Sequence, residues 1–372
     1  MLLSALLISA SLPGVTSFAA ETVKTEKVAL KIETIATGLD HPWSVEVLPD
    51  GSYIVSERSG SLRLIRNGIV GAPIDGVPKV FHRGQGGLLD VAISPDFAQS
   101  RIIYFTASTS AKDGSGTEVF RARLADDGRE LSEVRSIFKM RPFTSGNIQY
   151  GARIAVAPDR TLFVSLGDRG DRDRSQDWND DAGAIIHITA DGAIASDNPF
   201  KDNGKALPEI WSKGHRNPQG IAFDSADGSL YTAEHGARRG DEINLIKPGR
   251  NYGWPVITYG VDYSGAKIGE GTKKAGLEQP IHYWDPSIAP GALAVYRGKM
   301  FPEWQGDLLV AALKFQLLSR LHRNGDGTFT EERMLANKYG RLRDIVVAPD
   351  GALLVVTDES NGALLRIARA QE

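Results

Sequence analysis

Polar and charged side chains concentrate in two neighbouring segments in the second half of the chain, at 214–224 and 234–255. The first reads GHRNPQGIAFD and the second reads EHGARRGDEINLIKPGRNYGWP. In the first segment, the planar Arg216 guanidinium could hold a carboxylate as a two-point fork. In the second, Asp241 and Glu242 offer hard oxygen ligands that could complete a Ca²⁺ shell together with backbone carbonyls. These residue types favour a small-molecule site; the alternative is that the glycines only make turns and both acids are surface charges.

The elements that must position these residues repeat along the chain. An apolar stretch, a turn resembling Pro-Asp-Gly and a second apolar stretch occur six times, the fifth time in degraded form. The copies lie at 47–57, 92–108, 155–168, 222–236, 300–314 and 346–359. Asp and Gly supply the turn, and the apolar runs supply two strands. Six such units predict an all-β fold, a six-bladed β-propeller whose loops meet around a central channel.

Composition favours one domain that does not bind nucleic acid. The 372 residues include 40 glycines and 18 prolines, which suits a protein with many turns, and the formal charge of −3 provides no basic field. The repeats continue without a linker, so residues 20–372 are predicted to form a single propeller domain. Alternating apolar residues at 31–39 and the strand-like run at 362–369 predict that the first strand completes the last blade and covers its edge.

The first nineteen residues have the features of a cleavable signal peptide. They are apolar and small, Pro13 and Gly14 interrupt them, and Ser17 and Ala19 suit cleavage after position 19. No other stretch of the sequence is predicted to enter a membrane. The chain has no cysteine, which excludes disulfides, thiolate metal sites and a Cys nucleophile. We therefore expect an exported protein, periplasmic or secreted, and the absence of disulfides from an exported protein fits the bacterial periplasm.

Several motifs, in order along the chain, resemble one known family. GHRNPQG, EHG-x-x-x-GDEINLI and GRNYGWP are similar to the signature of soluble quinoprotein sugar dehydrogenases, the aldose sugar dehydrogenase group that includes soluble glucose dehydrogenase. GQGGLLDVAISPDF, DNPF, the Leu-Lys of AALK and GRLRDIVVAPDG occur in the family's order, and the likeness extends over the whole mature chain. The resemblance implies a six-bladed propeller that binds pyrroloquinoline quinone (PQQ) and Ca²⁺. It also implies oxidation of the C1 hydroxyl of an aldose to a lactone, with electrons passing through PQQ to an external acceptor.

The resemblance assigns roles to residues position by position. It implies that Gln85 contacts the quinone region and that both Gln85 and Arg216 serve catalysis as well as cofactor binding. The remaining implied PQQ contacts are Asn217, Tyr263, Lys314, Arg341 and Arg343. Because PQQ carries three carboxylates, burying it requires fixed positive partners. Such a role would explain Lys314, since a lone lysine in an apolar strand is otherwise costly.

The same comparison of motifs implies two calcium sites. The carbonyls of Gly236 and Ala237 match those that hold the cofactor's Ca²⁺, and a backbone ligand tolerates the Ala at that position. Glu242 and Tyr252 match a second, structural Ca²⁺ site. Backbone carbonyls and carboxylates are the hard oxygen ligands that Ca²⁺ takes.

One position departs from the family pattern. Gln149, in SGNIQYGARIAVAPD, occupies the place of the family's general-base histidine. An amide cannot accept a proton at neutral pH. The base could then be Asp168 or Asp173, both in the mixed-charge run at 168–181, which otherwise reads as a solvated loop.

Two other functions stay open on the sequence alone. The chain could be a PQQ- or sugar-binding propeller with weak or no turnover, because Gln149 replaces the usual histidine. It could also be a Ca²⁺-dependent lactonase, although that reaction needs acidic and amide ligands around a central metal instead of a cluster of Arg and Lys. The sequence does not name the preferred sugar, the physiological acceptor or the oligomeric state.

Overall fold

The computed structural model describes residues 20–371, and the predicted signal peptide at 1–19 lies outside them. Residues 20–371 form six sheets, which are antiparallel except for one short parallel pair. The innermost strands of neighbouring sheets contact one another in sequence order, and the last contacts the first, so the sheets close into a ring. The predicted all-β, six-bladed propeller is therefore confirmed.

The strands follow the repeats along the chain. The first two strands, β1 (Glu21–Lys24) and β2 (Ala29–Leu39), belong to the last blade. Blade 1 contains β3 (Pro42–Val47), β4 (Tyr53–Glu57), β5 (Ser61–Arg66) and β6 (Ile69–Pro73). Blade 2 contains β7 (Leu88–Ile93), β8 (Ile102–Ala111), β9 (Gly114–Leu124) and β10 (Leu131–Lys139). Blade 3 contains β11 (Gly151–Val156), β12 (Leu162–Leu166), β13 (Ala184–Ile188) and β14 (Ile210–Lys213).

The remaining blades have the same plan. Blade 4 contains β15 (Pro218–Asp224), β16 (Ser229–Glu234), β17 (Asp241–Ile246) and β19 (His282–Trp284), while β18 (Arg250–Asn251) pairs in parallel with β14 of blade 3. Blade 5 contains β20 (Pro290–Val295), β21 (Leu308–Ala312), β22 (Leu317–Arg323) and β23 (Phe329–Met334). Blade 6 contains β24 (Leu342–Val347), β25 (Leu353–Thr357) and β26 (Gly362–Arg369).

Helical structure in residues 20–371 is short. It consists of the helix α1 (Phe97–Ser100) and 3₁₀ turns at Arg172–Gln176 and Pro302–Trp304. No helix in this part of the chain has the length and apolar character needed to span a membrane.

Each recurring turn connects the inner strand of a blade to its second strand. In blades 1, 3 and 6 the turn aspartate, at 50, 159 and 350, accepts a hydrogen bond from the backbone N–H two residues later, at 2.9, 3.0 and 3.1 Å. This local bond is the usual reason for Asp in tight turns. The degraded fifth copy covers only the 3₁₀ turn and β21, since its inner strand β20 ends at Val295.

The first strand closes the ring, as the sequence predicts. β2 pairs antiparallel with β26, with Leu30 opposite Arg369 and Ile32 opposite Ile367. Each pair of neighbouring blades also shares an apolar cluster; Leu64 of blade 1 and Phe105 of blade 2, for example, lie in the same one. Burial between blades, about 25 cal/mol per Å² of apolar surface, therefore holds the ring together.

The channel has two differently built ends. At the loop mouth the inner strands begin, at positions 42, 88, 151, 218, 290 and 342, after the segments that connect one blade to the next. At the turn mouth the same strands end, at 47, 93, 156, 224, 295 and 347, and enter the tight turns. The fold thus places the connecting segments of all six blades around one opening.

Candidate active site

A cavity of about 420 Å³ opens at the loop mouth. Its walls come from the starts of inner strands and from the residues that follow second strands, in several blades. Four of the predicted cofactor-binding residues line it, namely Gln85, Asn217, Arg341 and Arg343. Trp43, Gln219, His235 and Asp358 complete much of the wall. Residues more than 250 positions apart in sequence therefore meet in one space, as the propeller fold predicts.

Arg343 supplies a fixed positive charge in this cavity. Its side chain is buried, pairs with Asp358 at 2.5 Å and donates to the Gln219 Oε1 atom at 2.8 Å. Burial lowers the pKa of the Arg343 guanidinium, against the opposing effect of Asp358. Although burial alone would raise it, Arg343 lowers the pKa of Asp358 to about 2. Both groups are consequently charged at neutral pH and hold each other in place.

His235 is neutral and structural in this geometry. Burial lowers the pKa of its imidazole to about 4. Its ring Nε2 atom lies 2.8 Å from the Pro290 carbonyl, to which it can donate, and its backbone N–H donates to the Asn217 carbonyl at 3.2 Å. Asn217 in turn accepts from the Gly151 N–H through its Oδ1 atom at 3.1 Å. These bonds fix the starts of three inner strands relative to one another.

A side cleft of about 180 Å³ adjoins the main cavity. Gln149, Asp168, Arg216, Ala237, Trp254 and Tyr263 line it. Tyr263 stands at its rim with 70% of its surface exposed. Gln149, Arg216, Ala237 and Tyr263 therefore line a different cavity from Gln85, Asn217, Arg341 and Arg343.

Gln149 is held rigidly at the wall of the side cleft. It adopts a left-handed backbone with φ of 56°, and its N–H donates to the Gln85 Oε1 atom at 2.7 Å. Its own Oε1 atom is buried and has no hydrogen-bond partner among residues 20–371. Beneath it, Arg169 donates to the carbonyls of Ile148 and Gly146, the latter at 2.5 Å. An acceptor of this kind suits a ligand hydroxyl, which can donate to it.

Asp168 lies in the side cleft, whereas Asp173 does not. Asp168 is 1% exposed, and it accepts from the Trp254 Nε1–H and from the Gly170 N–H, each at 2.8 Å. Burial raises its pKa, although Gly170, Arg216 and Trp254 lower it. Asp173 is exposed on the 3₁₀ turn. The run at 168–181 is not a solvated loop throughout, because Asp168 is buried beside Trp254 and Arg169 is buried against the 146–150 segment.

Arg216 is half-buried between the side cleft and a third, small cavity. Its guanidinium donates to the Gly236 carbonyl at 2.5 Å and lies 5.4 Å from the centre of the Trp254 ring. The Gly236 N–H donates to Asp241, which is 1% exposed and also accepts from Ser287 and Ala289. The interpretation of Asp241 as a surface charge is therefore wrong: it is a buried acceptor that shapes the 236–241 loop.

Glu242 faces the third cavity together with Glu234, Gly236 and Tyr252. Burial raises the pKa of Glu242 well above its usual range, and the neighbouring Glu234 raises it further. The Tyr252 hydroxyl donates to the Leu245 carbonyl at 2.6 Å, which commits it to the fold. A cation between these acids would relieve their repulsion, and any Tyr252 ligand would have to come from its backbone.

Lys314 does not lie within a strand. β21 ends at Ala312, and Lys314 is exposed beyond it, with its Nζ atom 4.9 Å from the centre of the Phe315 ring. The argument that burial makes this lysine costly is therefore wrong, although its position next to Leu313 keeps it beside the main cavity. Arg341 is also exposed, at the rim.

In residues 20–371 no three His, Asp or Glu side chains converge in a geometry suited to a metal ion. The predicted calcium sites consequently depend on backbone carbonyls as well as on carboxylates. The Gly236 carbonyl is one such group, and Arg216 already donates to it. The Asn244 Oδ1 atom, buried without a partner in the described chain, is a further oxygen near Glu234, to which its own Nδ2 atom donates at 2.9 Å.

Comparison with known proteins agrees with this geometry. Residues 39–366 match the model of the glucose/sorbosone dehydrogenase family. The aldose sugar dehydrogenase YliI of Escherichia coli (strain K12) is 42% identical over 343 residues, which is 91% of this chain and 92% of that protein.

Two solved structures extend the likeness to three dimensions. The apo form of the soluble aldose sugar dehydrogenase from Escherichia coli matches with a TM-score of 0.88 at 41% identity, covering 92% of this chain and all of that one. The PQQ-bound aldose sugar dehydrogenase from Streptomyces coelicolor matches with a TM-score of 0.74 at 30% identity, covering 91% of this chain and 98% of that one.

Proposed function

Because this chain belongs to the glucose/sorbosone dehydrogenase family, as its sequence motifs predict, we propose that it oxidises the C1 hydroxyl of an aldose to the lactone with PQQ as cofactor. The relatives that support this are sugar dehydrogenases, one of them solved with PQQ bound. The observation that carries the proposal is the buried Arg343 fork in the 420 Å³ cavity at the loop mouth. Electrons would leave through PQQ to an external acceptor.

The cavity suits a flat, polyanionic cofactor. Arg343 is fixed inside it, and the exposed Arg341 and Lys314 stand at its edge, where they can turn towards carboxylates. The Trp43 ring offers an aromatic face, and Asn217 and Gln219 offer amide groups. PQQ, when bound, supplies the quinone that takes up the two electrons and the hydrogen lost from the sugar carbon.

Calcium would join the cofactor through the Gly236 and Ala237 carbonyls. Because Arg216 donates to the Gly236 carbonyl in the structure, Ca²⁺ at this position competes with that hydrogen bond. A second, structural Ca²⁺ would bind at Glu242, with Glu234 and the Tyr252 backbone nearby. The raised pKa of Glu242 supports this site, since an unpaired buried carboxylate gains most from a cation.

Asp168 is the residue we assign as proton acceptor in place of the missing histidine. It lines the same cleft as Gln149, and its raised pKa brings it closer to neutral pH, where a base works best. An Asp168 Oδ atom would take the proton of the C1 hydroxyl. Gln149, whose Oε1 atom has no partner in the described chain, would orient a sugar hydroxyl by accepting its hydrogen bond. Exposed Asp173 is a weaker candidate for the same task.

A second candidate function rests on Gln149 itself. With an amide where the family has an imidazole, the chain could bind PQQ or sugar with little or no turnover. Both functions use the same cavities, so binding alone does not separate them. We further propose that the protein is exported through its predicted signal peptide at 1–19 to the periplasm or the medium.

A titration followed by a turnover assay tests the proposal. PQQ and Ca²⁺ are added to the apoprotein while Trp fluorescence is recorded, and aldoses are then supplied with an artificial electron acceptor. Saturable PQQ binding with acceptor reduction supports the dehydrogenase. Binding without reduction supports the binding protein. Absence of PQQ binding overturns the dehydrogenase, and absence of both PQQ binding and sugar binding overturns the second candidate as well.

A further inference from the structure

Arg153 lies in the channel between the inner strands and pairs with one aspartate from each of two other blades. It belongs to β11 of blade 3 and is 5% exposed. Its Nη1 atom donates to Asp90 of blade 2 at 3.0 Å and to Asp344 of blade 6 at 2.8 Å. The two carboxylates also accept backbone N–H groups of neighbouring blades, from Ile154 at 2.6 Å and from Val45 at 2.9 Å. One guanidinium therefore sits between two fixed, buried acids.

The other faces of Arg153 contact the remaining three blades. Its Nε atom donates to the Gln219 carbonyl of blade 4 at 3.0 Å, and its Nη2 atom donates to the Gly291 carbonyl of blade 5 at 2.8 Å. Its guanidinium carbon lies 4.1 Å from the centre of the Trp43 ring in blade 1. A single side chain thus touches all six blades, each through a directional or stacked contact.

Three of the groups that Arg153 touches form the floor of the main cavity. Trp43, Gln219 and Arg343 all line the 420 Å³ space. Arg153 stacks on the first and donates to the backbone of the other two, reaching the Arg343 carbonyl at 3.4 Å. The Gln219 side chain then accepts from the Arg343 guanidinium at 2.8 Å. The position of the cavity's main cation consequently depends on a residue below it that does not line the cavity.

We propose that Arg153 is the positioning residue of the cofactor cavity, setting Trp43, Gln219 and Arg343 in the geometry that receives the carboxylates of PQQ. This inference rests on the proposed function, because PQQ is the ligand whose affinity reports on the floor. A planar five-donor fork can satisfy two carboxylates and several carbonyls at once, which neither Lys nor an apolar residue can do. At metal sites, loss of a residue that orients the ligands typically costs about 10–100-fold in metal affinity, and we expect a loss of the same order for PQQ here.

The test compares two buried arginines that each pair with two carboxylates but lie at different places in the fold. Arg153→Met is paired with Arg320→Met, since Arg320 is 2% exposed and pairs with Asp307 at 2.6 Å and Glu332 at 2.9 Å, entirely within blade 5. Both variants should melt at lower temperature than the wild type without PQQ. Only Arg153→Met should bind PQQ about 10–100-fold more weakly in a Trp-fluorescence titration, with Arg320→Met within twofold of the wild type.

Equal PQQ affinity in Arg153→Met and the wild type would overturn the proposal, and so would equal weakening in both variants. If Arg153→Met does not fold, the triple variant with Asp90→Asn and Asp344→Asn removes the stranded charges and is titrated instead. A crystal structure of the variant without PQQ separates this inference from the proposed function. There, the bond between the Arg343 Nη1 and Gln219 Oε1 atoms should be lost or displaced; an unchanged floor would refute the positioning role even if the wild type binds no PQQ.

Discussion

The loop mouth and the turn mouth are made from the same six inner strands, yet they differ in chemistry. At the turn mouth a cavity of about 360 Å³ has apolar lining residues that include Ile93, Phe223 and Val347. Its charged lining residues are Glu46 and the buried group of Asp90, Arg153 and Asp344. At the loop mouth the walls carry arginine, histidine and amide groups. The turns at one mouth are too short to place side chains over the channel, whereas the segments between blades at the other are free to do so. The proposed site thus lies where the connections are long, as is common for binding and catalytic residues.

The largest expected difference between the mouths concerns proton transfer. Asp168→Asn should lower kcat on aldoses by about 10²–10⁴, because a positioned base contributes that much. In the wild type, kcat should fall as Asp168 becomes protonated, and its raised pKa places this acidic limb above the usual range of an aspartate. Steady-state kinetics across pH measures both effects.

Asp173→Asn is the matched control, since that exposed carboxylate should be dispensable. The variant Gln149→His should raise kcat only if Asp168 is not the base. Full activity in Asp168→Asn together with a gain in Gln149→His would show that Asp168 is not the base and that an imidazole at position 149 can serve as one.

The next prediction compares two ion pairs of blade 6, one at each mouth. Arg343→Ala should weaken PQQ binding by about 2–5 kcal/mol, because it leaves a cofactor carboxylate without its buried partner. Arg366→Ala removes the partner of Asp350 in the turn at the other mouth, where the aspartate is 53% exposed, and should change PQQ affinity very little. Calorimetric titration with PQQ distinguishes the two. Similar losses in both variants would mean that the mouths do not differ in cofactor binding.

Calcium should stabilise the loop mouth without PQQ. A ligand that binds only the folded state adds about 2.7 kcal/mol at a hundredfold excess over Kd, so Ca²⁺ should raise the melting temperature and EDTA should lower it. Glu242→Gln should abolish the response, because it removes the carboxylate that faces the third cavity. A melting temperature that ignores EDTA in the wild type would eliminate the structural calcium site.

The smallest effect is expected at the turn mouth. Burial, with Asp344 and Asp90 nearby, raises the pKa of Glu46 to about 8. A raised carboxyl pKa favours folding below the unfolded value and loses that contribution as pH rises towards 8. Glu46→Gln should therefore match the wild type at pH 4 and exceed its stability at pH 9, on the order of 1–3 kcal/mol given solvent in the channel. Chemical denaturation at both pH values measures this, and PQQ affinity should stay constant. A stability gap that is independent of pH would contradict the raised pKa.

The difference between the two mouths also explains which features could be predicted from the sequence. The repeated motif around the Pro-Asp-Gly turn is short and local, so it predicts six blades. The alternating run at 31–39 predicts the closing strand. That motif, however, lies at the turn mouth, opposite the candidate site. Asp90, Arg153 and Asp344 each stand six residues before the turn aspartate of their repeat, at 96, 159 and 350. Aligning the repeats on this offset would have indicated one charged layer across the channel.

Other features depend on contacts that only ring closure creates. Arg169 is buried because it reaches the 146–150 segment, and nothing in a run of alternating charges shows which arginine turns inwards. Gln149 takes a left-handed backbone because Gln85 and Arg169 fix both sides of it. The roles of Glu242, Tyr252 and Tyr263 stay predictions. Lys314 shows the limit of a local argument. It follows an apolar run that predicts a strand, but β21 ends at Ala312, two residues before it.

The pairing of β2 with β26 also sets the order in which the molecule can be assembled. Leu30 and Arg369 are at opposite ends of the chain, so this ladder forms only after the last blade has been synthesised. Contacts of such long sequence separation are slow to form, because the loop they close is large. Until then β2 and the growing sixth sheet each present an unpaired edge, which is the kind of surface that recruits a second chain. Premature termination of synthesis or proteolysis that removes the eight-residue strand β26 would leave both edges open at once, and the expected product is an aggregate and not a five-bladed ring.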